Sequence, residues 1–280
     1  GSTSALSDGS SGRNLTVAGT TLTFSSDVLD TIGVGDVIEY DYNNSGSANT
    51  IAFISGRTDS RTFTVRSLTG STPAQTTALD QDWEIFRSYT SLDDAESGAE
   101  NTGCSLFGVS TADLNAGGGY DLVSAGMQWN IACYADDTET LTSNWFIGGW
   151  TTDEDNYVRI FTPAGADEVG TSQRHSGKWD TSAYHIVKSA TGNYSRMLII
   201  EEDYVHIEGL QIHNINNDHN YAAGIYSADG EEAVYISDNI IRGTYTTSGG
   251  DTHTGIYVNN TNLTAYVWNN IVYGYWGTTA

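Results

Sequence analysis

Val205-His206-Ile207-Glu208-Gly209-Leu210-Gln211-Ile212-His213-Asn214 aligns without a gap with Val234-Tyr235-Ile236-Ser237-Asp238-Asn239-Ile240-Ile241-Arg242-Gly243 and with Ala265-Tyr266-Val267-Trp268-Asn269-Asn270-Ile271-Val272-Tyr273-Gly274. The offsets are 29 (234 − 205) and 31 (265 − 234) residues, and self-similarity at such a period marks a solenoid, a propeller or an array. Each unit opens with apolar, polar, apolar alternation, the pattern of a strand with one buried face. A turn carrying Gly209-Leu210, Asp238-Asn239 or Asn269-Asn270 follows, and then a second β-branched run. Another strand precedes each core, at 196–200, 223–226 and 255–258. Three short strands per repeat leave no room for a crossover helix, so a propeller blade or a βαβ unit fits poorly.

One coil of a parallel β-helix fits well. The predicted fold class is all-β, a β-solenoid preceded by an N-terminal antiparallel β module, with a large antiparallel sandwich as the competing architecture. In the solenoid, Val205, Val234 and Ala265 form one interior column and Ile207, Ile236 and Val267 a second, spaced about 4.8 Å apart. Asn239 and Asn270 share a bend, where stacked amides hydrogen-bond along the column.

At 280 residues the chain has room for one large all-β domain or two smaller ones. Its net charge of −24, with Lys178 and Lys188 as its two lysines, repels nucleic-acid phosphates and anionic lipid, and argues against both as partners. The same charge attracts divalent cations. No apolar run approaches the length of a membrane span and no signal-peptide pattern is present; a start at Gly1 suggests a processed or trimmed product. Cys104 and Cys133 lie 29 positions apart, about one coil, and read either as a disulfide or as two buried thiols. N-x-S/T sequons at Asn14, Asn43, Asn193, Asn259 and Asn262 are compatible with export.

Along the chain, residues 1–13 have linker composition and become ordered only if another part of the chain or a neighbouring copy holds them. Residues 14–89 form the β-rich module, with strands expected at 14–17, 20–24, 36–42, 50–57, 61–67 and 83–89. Within it, Asp41, Asn43 and Ser45 place oxygens at alternate positions as a calcium loop does, but position twelve is Ala52, where a bidentate Glu is needed. A plain hairpin loop is the simpler reading. Residues 90–119 read as a short helix that would cap the solenoid, followed by a loop. The solenoid occupies 120–280, with an insertion at 164–184.

Tyr89-Thr90-Ser91-Leu92, Ile131-Ala132-Cys133-Tyr134, Gly149-Trp150-Thr151-Thr152 with Asn156-Tyr157-Val158, Gln173-Arg174-His175-Ser176-Gly177-Lys178-Trp179-Asp180 and Val205–Ile212 resemble a group of environmental bacterial surface proteins. The resemblance spans about residues 14 to 276. It implies a right-handed parallel β-helix, distantly similar to the pectate-lyase-like superfamily, and it carries no reaction with it.

Three sets of residues are candidates for chemistry. Arg174, His175, Lys178, Trp179 and Asp180 concentrate charge in a cation-poor chain; laid over Trp150, Asp153 and Asp155 they would line a saccharide cleft. An insertion loop pinned by charge pairs explains the same residues. A lyase arrangement would use Ca2+ on carboxylates with a basic residue among His213, Asp218, His219, Asp229, Glu231, Glu232, Asp238 and Arg242. A glycosidase pair cannot be chosen among 35 acidic residues. No metal-binding histidine motif, nucleophile elbow or P-loop is present, so no catalytic residue is assigned and Ca2+ is the one cofactor considered.

Aromatic residues near the last coil, Tyr266, Trp268, Tyr273, Tyr275 and Trp276, with Ser4 and Leu6 from the N-terminal segment, suggest self-association into a homo-oligomer or fibre. The function expected is an extracellular or cell-surface structural or adhesive solenoid, with subunits joined head to tail. The alternative is a secreted carbohydrate-active enzyme or a carbohydrate-binding module with polysaccharide as its partner.

Overall fold

The computed structural model describes residues 1–107, 121–190, 194–216, 221–227, 232–245 and 252–275. The protein is all-β, with one antiparallel sheet and three parallel sheets, consistent with a β-solenoid. It divides into two compact units, Gly1–Ala116 with Pro163–Gln173, and Gly117–Thr162 with Arg174–Ala280.

The first unit contains β1 (Ser7–Asp8), β2 (Leu15–Ala18), β3 (Thr21–Phe24), β4 (Asp36–Tyr40), β5 (Thr50–Arg57), β6 (Thr62–Arg66) and β7 (Trp83–Arg87), in the sheet order β1-β7-β4-β5-β6-β3-β2. Alternation selects the buried face: in β2 and β3, Leu15, Val17, Leu22 and Phe24 point into a core shared with Ile38, Ile54, Phe63, Val65 and Trp83. A register shift between Ile54 and Gly56 bends β5. Between the register partners Asp36 of β4 and Arg87 of β7 a buried ion pair spans 2.6 Å, and Asp36 also accepts the Gly33 amide at 2.9 Å.

The linker-like N-terminus is held by its own chain. Leu6 donates its amide to the Ile85 carbonyl at 2.7 Å, Gly9 to that of Trp83 at 3.1 Å, and Asn101 Nδ2 donates to the Ser2 carbonyl at 3.2 Å. The Leu6 side chain packs on the core. After β7, Ser91 caps α1 (Leu92–Ser97) by accepting from the Asp94 amide, and Gly98 closes it at φ 70°. Leu92 and Ala95 are its buried residues. Pro163–Gln173 joins this unit through an antiparallel bridge from Gly33 to Val169 and a 2.7 Å bond from the Arg57 amide to the Asp167 carbonyl.

The second unit opens with α2 (Leu122–Ala125). Its strands then follow in sequence: β8 (Trp129–Ala132), β9 (Glu139–Leu141), β10 (Trp145–Ile147), β11 (Val158–Phe161), β12 (Ile186–Ala190), β13 (Tyr194–Ile200), β14 (Val205–Glu208), β15 (Gln211–Asn216), β16 (Tyr221–Ser227), β17 (Ala233–Ser237), β18 (Ile240–Tyr245), β19 (His253–Val258), β20 (Thr264–Trp268) and β21 (Ile271–Tyr273). Every third strand pairs in parallel, giving sheets ordered β20-β17-β14-β11-β8, β21-β18-β15-β12-β9 and β10-β13-β16-β19. Val205 pairs with Val234 and Val234 with Ala265; Ile207 pairs with Ile236 and Ile236 with Val267. The aligned repeats are therefore adjacent layers. Val158 and Ile160 extend both columns upstream. Upstream of the aligned repeats the coil strands are short, three residues each in β9 and β10 and four each in β8 and β11.

Three bends occupy one position in successive coils: Gly209 at φ 75°, Asp238 at 59° and Asn269 at 54°. Left-handed backbone there turns each coil from one sheet to the next, and favours Gly, Asn or Asp. Cys104 and Cys133 are buried free thiols. Burial pushes both up to about 12, with the Glu39 carboxylate adding to the effect at Cys104.

Candidate functional site

The charged insertion runs between β11 and β12. Arg174 folds back, its Nε 3.3 Å from Thr162 Oγ1 and its Nη2 3.3 Å from the Thr162 carbonyl. Gly209 leaves the space for it, since a Cβ there would fall 2.2 Å from Arg174 Nε. Asp180 closes the segment: its amide donates to Gln211 Oε1 at 2.6 Å while Gln211 Nε2 donates to its carbonyl at 2.7 Å. Hydrogen bonds from the Ser182 hydroxyl and amide hold the Asp180 carboxyl below the usual range.

Trp179 lies under the Arg242 guanidinium, 3.7 Å from ring centroid to Cζ, with His185 and His213 at its edges. Arg242 Nη2 is 2.9 Å from His213 Nδ1. A guanidinium only donates, so Nδ1 is the acceptor and His213 Nε2 carries the proton toward Thr244 Oγ1 at 3.0 Å. Burial, then the Arg242 charge, lower His213 to about 4. His175 receives the Gly177 amide on Nδ1 at 3.2 Å, and burial lowers its pKa. Lys178 remains exposed.

Beside this corner is an open depression of about 210 Å³ lined by Ala135, Asp136, Asp137, Thr138, Thr181, Ala183 and His185. His185 Nδ1 lies 2.9 Å from the Ala183 carbonyl, which requires a proton on Nδ1, and Nε2 lies 3.0 Å from the Thr138 hydroxyl. Carboxylates and an imidazole suit a polyhydroxylated ligand.

Trp150, Asp153 and Asp155 sit elsewhere, in the connection from β10 to β11. They precede β11, whereas the insertion follows it. Trp150 is buried and stacked on Trp129 at 4.3 Å, and its amide donates to Glu202 Oε2 at 2.6 Å. It offers no free ring face. Asp153 Oδ1 accepts from the amides of Asp155 and Asn156 and from Asn156 Nδ2, which lower its pKa and use it to fold its own turn.

In the first unit, Asp41 Oδ1, Asn43 Oδ1 and Ser45 Oγ do converge, at 2.9, 2.8 and 3.0 Å, on a single atom: Asn49 Nδ2. A neutral amide donor therefore fills the centre of the loop. Asp41, Asp80 and Asp82 bring carboxylate oxygens within 4.8 Å of one another, but Asp80 Oδ2 accepts the Asp41 amide and its Oδ1 that of Asp82. Burial raises the Asp80 pKa.

Among the repeat residues considered for lyase chemistry, His213 and Arg242 are joined as above, Asp238 accepts from Asn269 Nδ2, and Glu232 donates its amide to Asp203. Asp218, His219, Asp229 and Glu231 lie outside the described residues. For self-association, Tyr266, Trp268 and Tyr273 are exposed, Tyr275 is half-buried, and Trp276 lies outside the described residues. Ser4 and Leu6 belong to the segment bound by its own chain.

Two outward features escaped the sequence reading. Tyr157, His206, Tyr235 and Tyr266 stack in one file at 4.3, 4.3 and 4.9 Å, and Arg159 grips Glu208 at 2.7 Å. The equivalence of positions 206, 235 and 266 was visible in the repeat; the other two partners come from a coil that lacks its signature. No family model, curated protein or solved structure matches the chain.

Proposed function

We propose that the protein is an extracellular or cell-surface structural or adhesive component, built on a right-handed parallel β-helix and working through association with its own kind. The observation that supports this best is the employment of its polar side chains. Arg159 is bound to Glu208, Arg174 to Thr162, Arg242 to Trp179 and His213, and Asp180 to Ser182. Groups engaged in holding neighbouring coils and loops are not aimed at a substrate, whereas a catalytic centre needs donors directed at the reacting atoms.

Incubating the purified chain with neutral and acidic polysaccharides is expected to yield no new reducing ends and no unsaturated uronates. Depolymerisation of any of them would replace the structural reading with an enzymatic one. A second reading, carbohydrate binding, is favoured by the polar depression at His185. Saturable retention on one polysaccharide, abolished by Thr138→Val with His185→Phe, would support it.

A further inference from the structure

A row of acidic side chains crosses the sheet of the first unit where the N-terminal segment docks. Asp8 of β1 is the register partner of Glu84 of β7, and Glu84 is in turn the partner of Glu39 of β4. Register partners in antiparallel strands share a face, with Cβ atoms about 5 Å apart. Glu84 therefore stands between two acidic neighbours, and like charges directly opposite one another destabilise a strand pair.

The row holds together because a hydrogen lies within it. The Glu39 and Glu84 carboxyls are hydrogen-bonded to each other, and two carboxyl groups form such a bond only if one is protonated. Glu39 is 4 % exposed, and its Oε2 already accepts from the Ser105 amide at 2.9 Å, the Ser105 hydroxyl at 3.1 Å, the Leu106 amide at 3.3 Å and the Cys104 thiol at 3.5 Å. A carboxyl gripped by so many donors serves as the acceptor, so the hydrogen belongs to Glu84. Burial first, then the Glu39 charge and hydrogen bond, then the Asp8 charge, raise Glu84 above 4.5. Asp8 is held in the charged form, since the Ser10 hydroxyl and amide and the Arg13 charge lower it.

When Glu84 ionises, the repulsion falls on its weaker neighbour. β4 and β7 pair over five positions and share the buried Arg87–Asp36 ion pair. β1 pairs with β7 over two positions, flanked by the bonds from the Leu6 and Gly9 amides to the Ile85 and Trp83 carbonyls. We propose that β1 is a pH-controlled latch on this sheet, closed while Glu84 and Glu39 share a hydrogen and loosened when that hydrogen leaves. Opening would bare the β7 edge at Trp83–Ile85 and lift Ala5 and Leu6 from the two cores on which they pack. The direction follows from linkage: a raised carboxyl contributes stability that is present below its unfolded value and lost as pH rises through its folded one. The latch is thus closed in acid and looser toward neutrality.

Amide hydrogen exchange at Leu6 and Gly9 between about pH 5 and 8, corrected for the intrinsic rate, tests this. Protection at both is expected to fall at least about threefold as pH rises, while Val17 and Val65 in the same sheet keep theirs. Glu84→Gln retains a donor toward Glu39 and cannot titrate, so it should hold both amides at the acid-side protection throughout. That variant also separates Glu84 from Asp80, which burial raises as well. Protection at Leu6 and Gly9 that ignores pH in the parent would overturn the latch. So would an E84Q chain that keeps the parental fall, or Val17 and Val65 losing protection in step with β1, which would mean that the whole unit opens.

Discussion

Asn239 Nδ2 donates to Asn270 Oδ1 across 2.9 Å, from one coil to the same bend of the next. The same amide reaches back to the Ile207 carbonyl at 3.0 Å, and Asn239 Oδ1 accepts the Leu210 amide at 2.8 Å. One fully buried side chain thus satisfies two backbone groups of the preceding coil and joins them to a side chain of the next. Replacing it by Ala leaves a buried carbonyl and a buried amide without partners. Asn239→Ala should destabilise the solenoid by about 2–4 kcal/mol, read as a lower urea midpoint with the slope retained. Asn270→Ala, in a more exposed bend, should cost less.

Gly209 tests a different constraint. Asp238 and Asn269 tolerate the same left-handed bend, so backbone conformation alone would permit Asn at 209. A Cβ there would however lie 2.5 Å from Thr162 Oγ1 as well as against Arg174. Gly209→Asn should therefore cost about 2–4 kcal/mol and free the insertion, giving new protease cleavage within 174–182. Asp238→Gly should be nearly neutral.

Glu208 governs an acid limb of stability. Burial pushes its carboxyl up, but hydrogen bonds from His206 and Arg159 and the Arg159 charge outweigh that and bring it down to about 2. A lowered carboxylate contributes stability that is present above its unfolded value near 4.5 and is lost as pH falls toward 2. Thermal unfolding of the parent should weaken across that window. Glu208→Gln should be less stable near pH 6 and show a flatter profile below pH 4.5.

Lys188 gives the opposite limb. It is 4 % exposed, and its ammonium donates to Asn144 Oδ1 and to the Arg196 carbonyl at 3.0 Å, both neutral acceptors. Burial lowers it from 10.5 to about 8. The folded state therefore resists the charged form, and stability rises as pH increases through about 8 toward 10.5. Lys188→Met should remove that rise and leave the protein at least as stable as the parent at pH 7, measured by chemical denaturation at a series of pH values.

These effects divide by how far they could be read from the chain. The pairing of residue 205 with 234 and 265, and the amide ladder at 239 and 270, follow from a gapless repeat because a coil's neighbour in space is its neighbour in the alignment. Strands of the first unit were legible from alternation and turns for the same local reason. The assignment of residues 163–173 to the first unit was not, since a bridge from Gly33 to Val169 joins positions 136 residues apart (169 − 33) and leaves no periodic trace. Nor could the sequence separate Trp150 from Trp179. Both are aromatic residues beside acidic groups, and what distinguishes them is which side of a four-residue strand they flank. The loop at Asp41 shows a related limit: its oxygens do converge, but the partner at their centre is Asn49, which supplies hydrogens where a metal would supply charge.

Because each coil pairs only with the coils directly before and after it, a block of about thirty residues cut between equivalent bends can be duplicated or removed while every remaining ladder keeps its register. Gene-level changes in whole windings would thus alter the reach of the molecule without redesigning its interior. The Arg174 loop, by contrast, depends on one particular glycine, and would travel only together with the winding that carries it.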